Sequence, residues 1–314
     1  MPLQLGVVMD PMAGIKPRKD TTLALLLAAQ KRGWSLSYLE LGDLFLRDGT
    51  ACGNLQPLTV ADDASDWYSL GHGTCRALAE LDVILMRKDP PVDAAFTHAT
   101  HILELAEREG AHVVNRPGAL RDIHEKLSIA QFPQCCTATL VTSDPARIRA
   151  FISEHGKAVL KPLDGMGGDS IFVVSDGDPN TTVIMDALTH QGRRFIMAQR
   201  YLAGIRDGDK RILVIDGKPV ERALARHPAA GETRGNLAAG GRGESVPLSD
   251  RDRWICAQVA PSLLAHGIRF AGLDVIGDSL TEINVTSPTC VRELDAADGS
   301  DIGGRLIDRL AERP

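Results

Sequence analysis

The sequence predicts an α/β protein: an open parallel sheet with helices at the amino end, followed by α+β lobes built from hairpins. Apolar runs alternate strand, helix, strand through the first third, the order that generates a parallel sheet. Further along, Asp216-Gly217 and the stretch 270–285 each punctuate a pair of strand-like runs, which reads as two hairpins. A length of 314 residues also exceeds one domain of ordinary size. We divide the chain into 1–122, a Rossmann-like unit, 123–202, a central unit holding a glycine-rich loop, and 203–314, a unit holding an acidic hairpin.

In order, the first unit reads as a strand over 3–9, a helix over 21–32 closed by Gly33, and a strand over 35–41. A hairpin over 44–60 turns at Asp48-Gly49, and a buried strand over 81–86 stops at Pro90 and Pro91. A helix over 93–108 ends near Gly110 and leads to a short strand over 112–115. The order is Rossmann-like, but residues 10–14 lack the GxGxxG that brings a dinucleotide pyrophosphate to a helix N-terminus. The central unit reads as a helix containing HisGluLysLeu from about 121, a strand near 138–142, and a helix over 145–155 capped by Ser143. After the glycine loop come strands over 171–174 and 194–202. The last unit reads as a hairpin of 210–215 with 219–226, a long loop over 227–243, a helix over 250–266, the hairpin 270–285 and a helix over 301–311. No internal repeat is visible.

Composition narrows the function classes. A formal net charge of -6 argues against a general nucleic-acid surface, and 44% hydrophobic with 24% charged residues is ordinary for a globular protein. No apolar run is long enough to cross a bilayer, and the amino end lacks the pattern of an export signal. The six cysteines lack CxxC spacing, so reduced thiols and a cytoplasmic location are expected. HisGluLysLeuSer at 124–128 fails the HExxH zinc pattern because Ser128 stands fifth.

The most informative segment is Lys161–Ser170, where a lysine precedes Gly165, Gly167 and Gly168. Glycines let backbone N–H groups approach phosphate oxygens, and Lys161 adds a cation beside them. A Walker A loop would place its lysine after the last glycine and continue into a helix. Here a strand follows, so the loop reads as a flap over a nucleotide. An ordinary hairpin turn would need only one or two glycines. In the hairpin 270–285, a three-residue turn over Gly277–Ser279 would set Asp274 opposite Glu282, with Asn284 on the face of Glu282. Three oxygen-bearing side chains of this kind suit Mg²⁺ shared with substrate phosphates, against the bland alternative of a solvated strand face. Lys126, and Arg211 with Arg226 across the preceding hairpin, are further cations that could face phosphoryl oxygens. A glycine-rich loop as long as 227–243 is uncommon unless it serves as a lid.

Four strings in order, IleLeuMetArgLysAspProPro (84–91), LeuLysProLeuAspGlyMetGlyGly (160–168), GlyGluThrArgGlyAsnLeuAlaAlaGlyGlyArgGly (231–243) and LeuThrGluIleAsnValThrSerProThrCys (280–290), resemble the bacterial glutathione synthetases of the ATP-grasp superfamily. The resemblance runs nearly end to end and implies an ATP-grasp fold behind the Rossmann-like unit. It implies a cytoplasmic ligase that joins γ-glutamylcysteine to glycine through an acyl phosphate, with ATP as co-substrate and Mg²⁺, or Mn²⁺ in its place. It further implies a homo-oligomer, dimer or tetramer, with neither nucleic acid nor membrane as partner. Carried over residue by residue, Lys126, Lys161, Gly165, Gly167, Gly168, Gln199, Arg200, Tyr201, Leu202 and Asp209 would bind ATP. Asp274, Glu282 and Asn284 would hold the metal, Arg211 and Arg226 would act on the transferring group, and Arg87, Asn236, Ser287, Thr289 and Arg292 would contact substrate. Asp169, Arg200 and the pair Cys135 and Cys136 depart from the pattern, Asp169 by adding negative charge to the flap.

Other ATP-grasp ligases, of the D-alanine:D-alanine or glutamate-adding type, share the general features, and the strings at 84–91 and 231–243 weigh against them. A non-catalytic nucleotide-binding regulator would be expected to lose a metal ligand or a phosphate-facing cation. An NAD-dependent oxidoreductase would need the missing dinucleotide fingerprint.

Overall fold

The protein, seen in a computed structural model that describes residues 2–228 and 241–312, is built on three sheets. Asn236 and most of the proposed lid 227–243 lie outside the described residues. The first sheet starts with β1 (Gln4–Val8), α1 (Thr21–Lys31) and β2 (Ser35–Leu39), in which β1 and β2 run parallel. The Asp20 side chain caps α1 by accepting from Leu23 N at 2.6 Å. A hairpin of β3 (Leu44–Arg47) and β4 (Thr50–Val60) turns at Asp48 and Gly49, both at positive φ, as a two-residue turn requires. Two short strands missed by the sequence reading, β5 (Tyr68–Leu70) and β6 (Thr74–Ala77), pair with β4. Then β7 (Val83–Met86), α2 (Ala94–Arg108) and β8 (His112–Val114) extend the parallel part, in the spatial order β3-β4-β2-β1-β7-β8.

After α3 (Pro117–Asp122) the expected helix through HisGluLysLeu does not form. The His124 ring nitrogen instead accepts from the backbone N–H groups of Lys126 and Leu127, at 3.2 and 3.3 Å, and Lys126 stands just before a short 3₁₀ turn, Leu127–Gln131. The side chain of Glu125 fastens this linker by accepting from Val285 N, Thr286 N and Thr286 Oγ1.

The second sheet is antiparallel, in the order β11-β10-β12-β9, from β9 (Thr139–Thr142), β10 (Lys157–Pro162), β11 (Phe172–Ser175) and β12 (Ile196–Arg200). It is backed by α4 (Pro145–His155) and α5 (Thr181–Thr189), the latter also missed in the sequence. Asp144, not Ser143, caps α4: its Oδ1 accepts from Ala146 N at 2.8 Å and Pro145 takes the first helical position, leaving Ser143 one residue too early. Ala158, Leu160, Ile196 and Ala198 bury one face of this sheet against Ile148, Phe151, Met185 and Leu188. Alternation turns Val159 and Lys161 to the other face.

The third sheet, in the order β16-β15-β13-β17-β18, contains β13 (Asp209–Ile215), β14 (Lys218–Pro219), β15 (Arg222–His227), β16 (Arg242–Pro247), β17 (Phe270–Ile276) and β18 (Ser279–Asn284). Its helices are α6 (Asp250–Ala265), α7 (Val291–Asp298) and α8 (Ile302–Ala311). The turn between β17 and β18 has two residues, Gly277 and Asp278, rather than three, with Ile276 opposite Ser279 and Val275 opposite Leu280. A bulge then leaves Thr281 unpaired in the register and sets Asp274 opposite Glu282, so the expected pairing arises by another route.

The first and third sheets share two cores. Leu85, Val114, Leu213, Phe270, Val291 and Leu306 belong to one cluster, and Ile84, Phe96, Ile212, Leu273 and Ile283 to the other. Asn115 stitches the two sheets together: its amide donates to Phe270 O and Val285 O and accepts from Arg269 N and Phe270 N, all at 2.7–3.0 Å. Among the described residues no helix is long and apolar enough to cross a membrane.

Candidate active site

An open cleft lies between the second and third sheets. Lys126, Lys161, Gly165, Gly167, Gly168, Gln199, Arg200, Tyr201, Leu202 and Asp209 all line it, together with Asp274 and Glu282. The face of the second sheet opposite its helices supplies Val159, Lys161, Val173 and Gln199, and the register aligns Val159 with both Val173 and Gln199. Val159, Ile171, Val173, Ile205 and Ile276 make the cleft partly apolar, as a flat heterocycle would require. The sequence reading missed these walls, although the alternation of Ala158 and Leu160 with Val159 and Lys161 carried the signal.

The two lysines are buried and converge on one carboxylate. Lys161 Nζ lies 3.4 Å from Glu282 Oε1 and Lys126 Nζ lies 3.9 Å from it. Lys126 Nζ also donates to Gly165 O at 2.6 Å, which ties the linker to the glycine loop. Burial lowers the Lys161 ammonium from its ordinary range; Glu282 opposes this and Lys126 adds to it. A buried cation so placed favours an anion in the cleft. Gly167 and Gly168 sit at φ +67° and +82°, conformations that glycine adopts at little cost. Asp169 is exposed on the flap and lines the cleft beside them.

A chain of charges runs inward from the cleft wall. Arg211 holds Asp274 with two hydrogen bonds, Nε to Oδ1 at 2.5 Å and Nη2 to Oδ2 at 3.0 Å. Arg226 Nη2 reaches Asp274 Oδ2 at 3.0 Å and bonds Asp209 through Nε and Nη2 at 3.0 and 2.5 Å. Burial pushes the Asp274 carboxyl up, but Arg211 and Arg226 outweigh it and hold it below the usual carboxylate range. Asp209 is raised, by burial first, because Arg226 is shared and the charge of Asp274 lies close by. Arg211 reaches Asp274 by crossing Gly272, where a Cβ would stand 2.8 Å from its Cδ. This glycine went unnoticed in the sequence, yet a glycine inside a strand commonly marks such a close approach.

Asp274, Glu282 and Asn284 offer two carboxylates and an amide on paired strands, a hard donor set that fits Mg²⁺. Asn284 Nδ2 donates to Gly272 O at 3.2 Å, which leaves its carbonyl oxygen as the acceptor. Asn284 does not line the cleft with the other two.

The remaining residues gather at a second place, where α1 and β7 meet the segment 285–292. Arg87 is buried there and donates to Thr22 Oγ1 and Pro288 O at 3.1 and 2.9 Å, outside this cleft. Thr289 Oγ1 lies 3.4 Å from Arg211 Nη1, Ser287 precedes it in the same loop, and Arg292 is ion-paired with Asp62. Arg211 therefore links the two places. All six cysteines are free thiols.

Known proteins support one reading of this arrangement. The family model for the prokaryotic glutathione synthetase N-terminal domain matches residues 3–121, and that for its ATP-grasp domain matches residues 125–299. The chain is 59% identical to the glutathione synthetase of Pseudomonas putida over 99% of its own length and 98% of the relative's, and 53% identical to that of Vibrio cholerae over the same shares. In fold it is similar to the D-cycloserine synthetase DcsG, with a TM-score of 0.69 at 15% identity over 99% of both chains. It is also similar to the ATP-grasp ligase PsnB, solved with a minimal precursor, Mg and ADP, with a TM-score of 0.64 at 18% identity over 98% of this chain and 97% of that one.

Proposed function

The chain belongs to the prokaryotic glutathione synthetase family and is an ATP-dependent ligase, and we propose that it joins γ-glutamylcysteine to glycine through an acyl phosphate, releasing ADP and phosphate. The observation that carries this reading is the convergence of buried Lys126 and Lys161 on Glu282, with Lys126 also bonded to the glycine loop and Asp274, opposite Glu282, held by Arg211. A carboxylate is a poor electrophile, so the substrate's cysteinyl carboxylate oxygen first attacks the γ-phosphorus and ADP departs. The glycine amine then attacks the acyl carbon, phosphate leaves, and the amine gives up a proton.

Lys126 and Lys161 would bind the phosphates, Gly165, Gly167 and Gly168 would cover them with backbone N–H groups, and Gln199–Leu202 would hold the base. Asp209 would face the ribose. Asp274, Glu282 and Asn284 would hold Mg²⁺, with Mn²⁺ an alternative, and that ion supplies charge neutralisation of the phosphates. With Glu282 engaged by the metal, the two lysines would be free to pair with the phosphates. Arg211 and Arg226, kept in place by Asp274 and Asp209, would stabilise the negative charge that develops on the phosphoryl and acyl oxygens. Arg87, Ser287, Thr289 and Arg292 would organise the γ-glutamylcysteine side. Assembly as a dimer or tetramer and a cytoplasmic location accompany this reading.

Incubation of the purified chain with γ-glutamylcysteine, glycine and Mg-ATP is expected to give one thiol tripeptide per ADP. ADP release that instead depends on D-alanine, with no tripeptide formed from γ-glutamylcysteine, would overturn it.

A further inference from the structure

His124, Glu125 and Lys126 fail as a zinc motif, and the fold engages each of their side chains differently. The His124 ring accepts from Lys126 N and Leu127 N, and Lys126 Nζ donates to Gly165 O of the flap. Glu125 reaches instead to the segment that follows β18. One carboxylate oxygen, Glu125 Oε1, accepts three hydrogen bonds there: from Val285 N at 3.0 Å, from Thr286 N at 3.1 Å and from Thr286 Oγ1 at 2.8 Å. The main chain adds a fourth, from Ile283 N to Glu125 O at 2.9 Å. Bonds to an ionised acceptor are the stronger kind. Val285 and Thr286 are both buried, so bulk water cannot take over the role of Glu125. Asn115 Nδ2 donates to Val285 O at 2.7 Å, and side chains thereby fix both polar backbone groups of Val285.

The two ends of this clamp lie at different parts of the site. Lys126, next in sequence to Glu125, is tied to the glycine loop and sits 3.9 Å from Glu282. Beyond Thr286 the chain reaches Pro288, whose carbonyl accepts from Arg87, and Thr289, whose hydroxyl meets Arg211. A junction of three hydrogen bonds at 2.8–3.1 Å tolerates only small shifts before its geometry is lost. Glu125 and Lys126 share one short linker between α3 and the 3₁₀ turn, so a displacement of Lys126 is passed to the loop 285–289, and the reverse.

We propose that Glu125 is a positioning residue that couples the two sides of the reaction. It holds Lys126 and the loop 285–289 in one geometry, and nucleotide and γ-glutamylcysteine each bind more tightly once the other is in place. The inference rests on the ligase reading above, which gives Lys126 to the phosphates and Arg87 to γ-glutamylcysteine.

The probes are γ-glutamylcysteine and Mg-AMPPNP, whose γ-phosphoryl group does not transfer, both used without glycine. In wild-type protein each should lower the Kd of the other at least about fivefold, and by the same factor, because coupling between two ligands is reciprocal. Glu125→Ala removes the shared acceptor. It should bring the factor below twofold while each ligand alone binds within threefold of wild type. Glu125→Gln keeps an oxygen able to accept and should restore a factor of at least threefold. Thr286→Val removes one of the three donors, keeps the side-chain shape and should at least halve the wild-type factor. If the alanine variant does not fold, Thr286→Val decides, and an unchanged factor overturns the inference. A wild-type factor below twofold also overturns it, as does a wild-type factor in Glu125→Ala. So does a Glu125→Ala protein that loses both ligands measured singly and melts at a lower Tm, the pattern of a carboxylate that only supports the fold. Wild-type protein that binds Mg-AMPPNP but no γ-glutamylcysteine would instead overturn the ligase reading.

Discussion

Asp274 and Glu282 face each other across one strand pair yet bear different loads. Asp274 is buried between two guanidinium groups, whereas Glu282 is partly open to the cleft and meets only lysine ammonium groups at 3.4–3.9 Å. Removing the charge at Asp274 leaves Arg211 and Arg226 without their shared anion, so Asp274→Asn is expected to cost about 3–5 kcal/mol in urea unfolding. Glu282→Gln should leave the unfolding midpoint nearly unchanged and lower Mg-dependent ADP release by about 100-fold, in the range seen for a lost electrostatic group. A wild-type rate for Glu282→Gln would remove it from the metal set. At this scale the residue types were legible, because carboxylates, an amide and lysines near a glycine loop announce phosphate chemistry.

Strand pairing decides what each functional residue can reach. Gly272 is where β17 makes room for Arg211, and a methyl group there would press on the Arg211 chain at 2.8 Å. Gly272→Ala is therefore expected to displace the guanidinium from Asp274, lowering stability by about 1–3 kcal/mol, as overpacking does, and kcat by at least tenfold. A fully active variant would show that Arg211 can reach Asp274 by another path. Most strands and the long helices were readable from period and punctuation. The polar edge strand β16, ArgGlyGluSerValPro, was not, because its pairing partner rather than its own composition makes it a strand. The 3₁₀ turn after Lys126 was hidden for a related reason: the His124 ring, not a breaker residue, interrupts the helix.

Across the whole molecule, the first and third sheets share their cores, while the second sheet builds one of its own around Ile148, Leu160 and Met185 and adds Met197 to the shared one. Stability of the whole is linked to pH through buried thiols. Burial, aided by Cys135 for one and Asp252 for the other, pushes Cys136 and Cys256 up to about 12 from the ordinary 9.0. The folded protein holds these protons more tightly than the unfolded chain does. Their contribution is therefore complete below pH 9 and lost as pH climbs from 9 through 12. Urea midpoints should fall between pH 8.5 and pH 10.5, and Cys256→Ala should reduce that fall; an equal slope in the variant would assign it to other groups.

The sequence by itself determined the α/β class, the glycine-rich loop and the acidic hairpin. These are local signals of period, glycine spacing and charge, written within about ten residues. Only the tertiary structure decided that Arg211 and Arg226 share Asp274 and that a two-residue turn and a bulge produce the Asp274–Glu282 pairing. The shared ion pair joins residues tens of positions apart, the strand pairing depends on a bulge that spacing does not show, and burial, which makes the charges matter, exists only once the chain has folded.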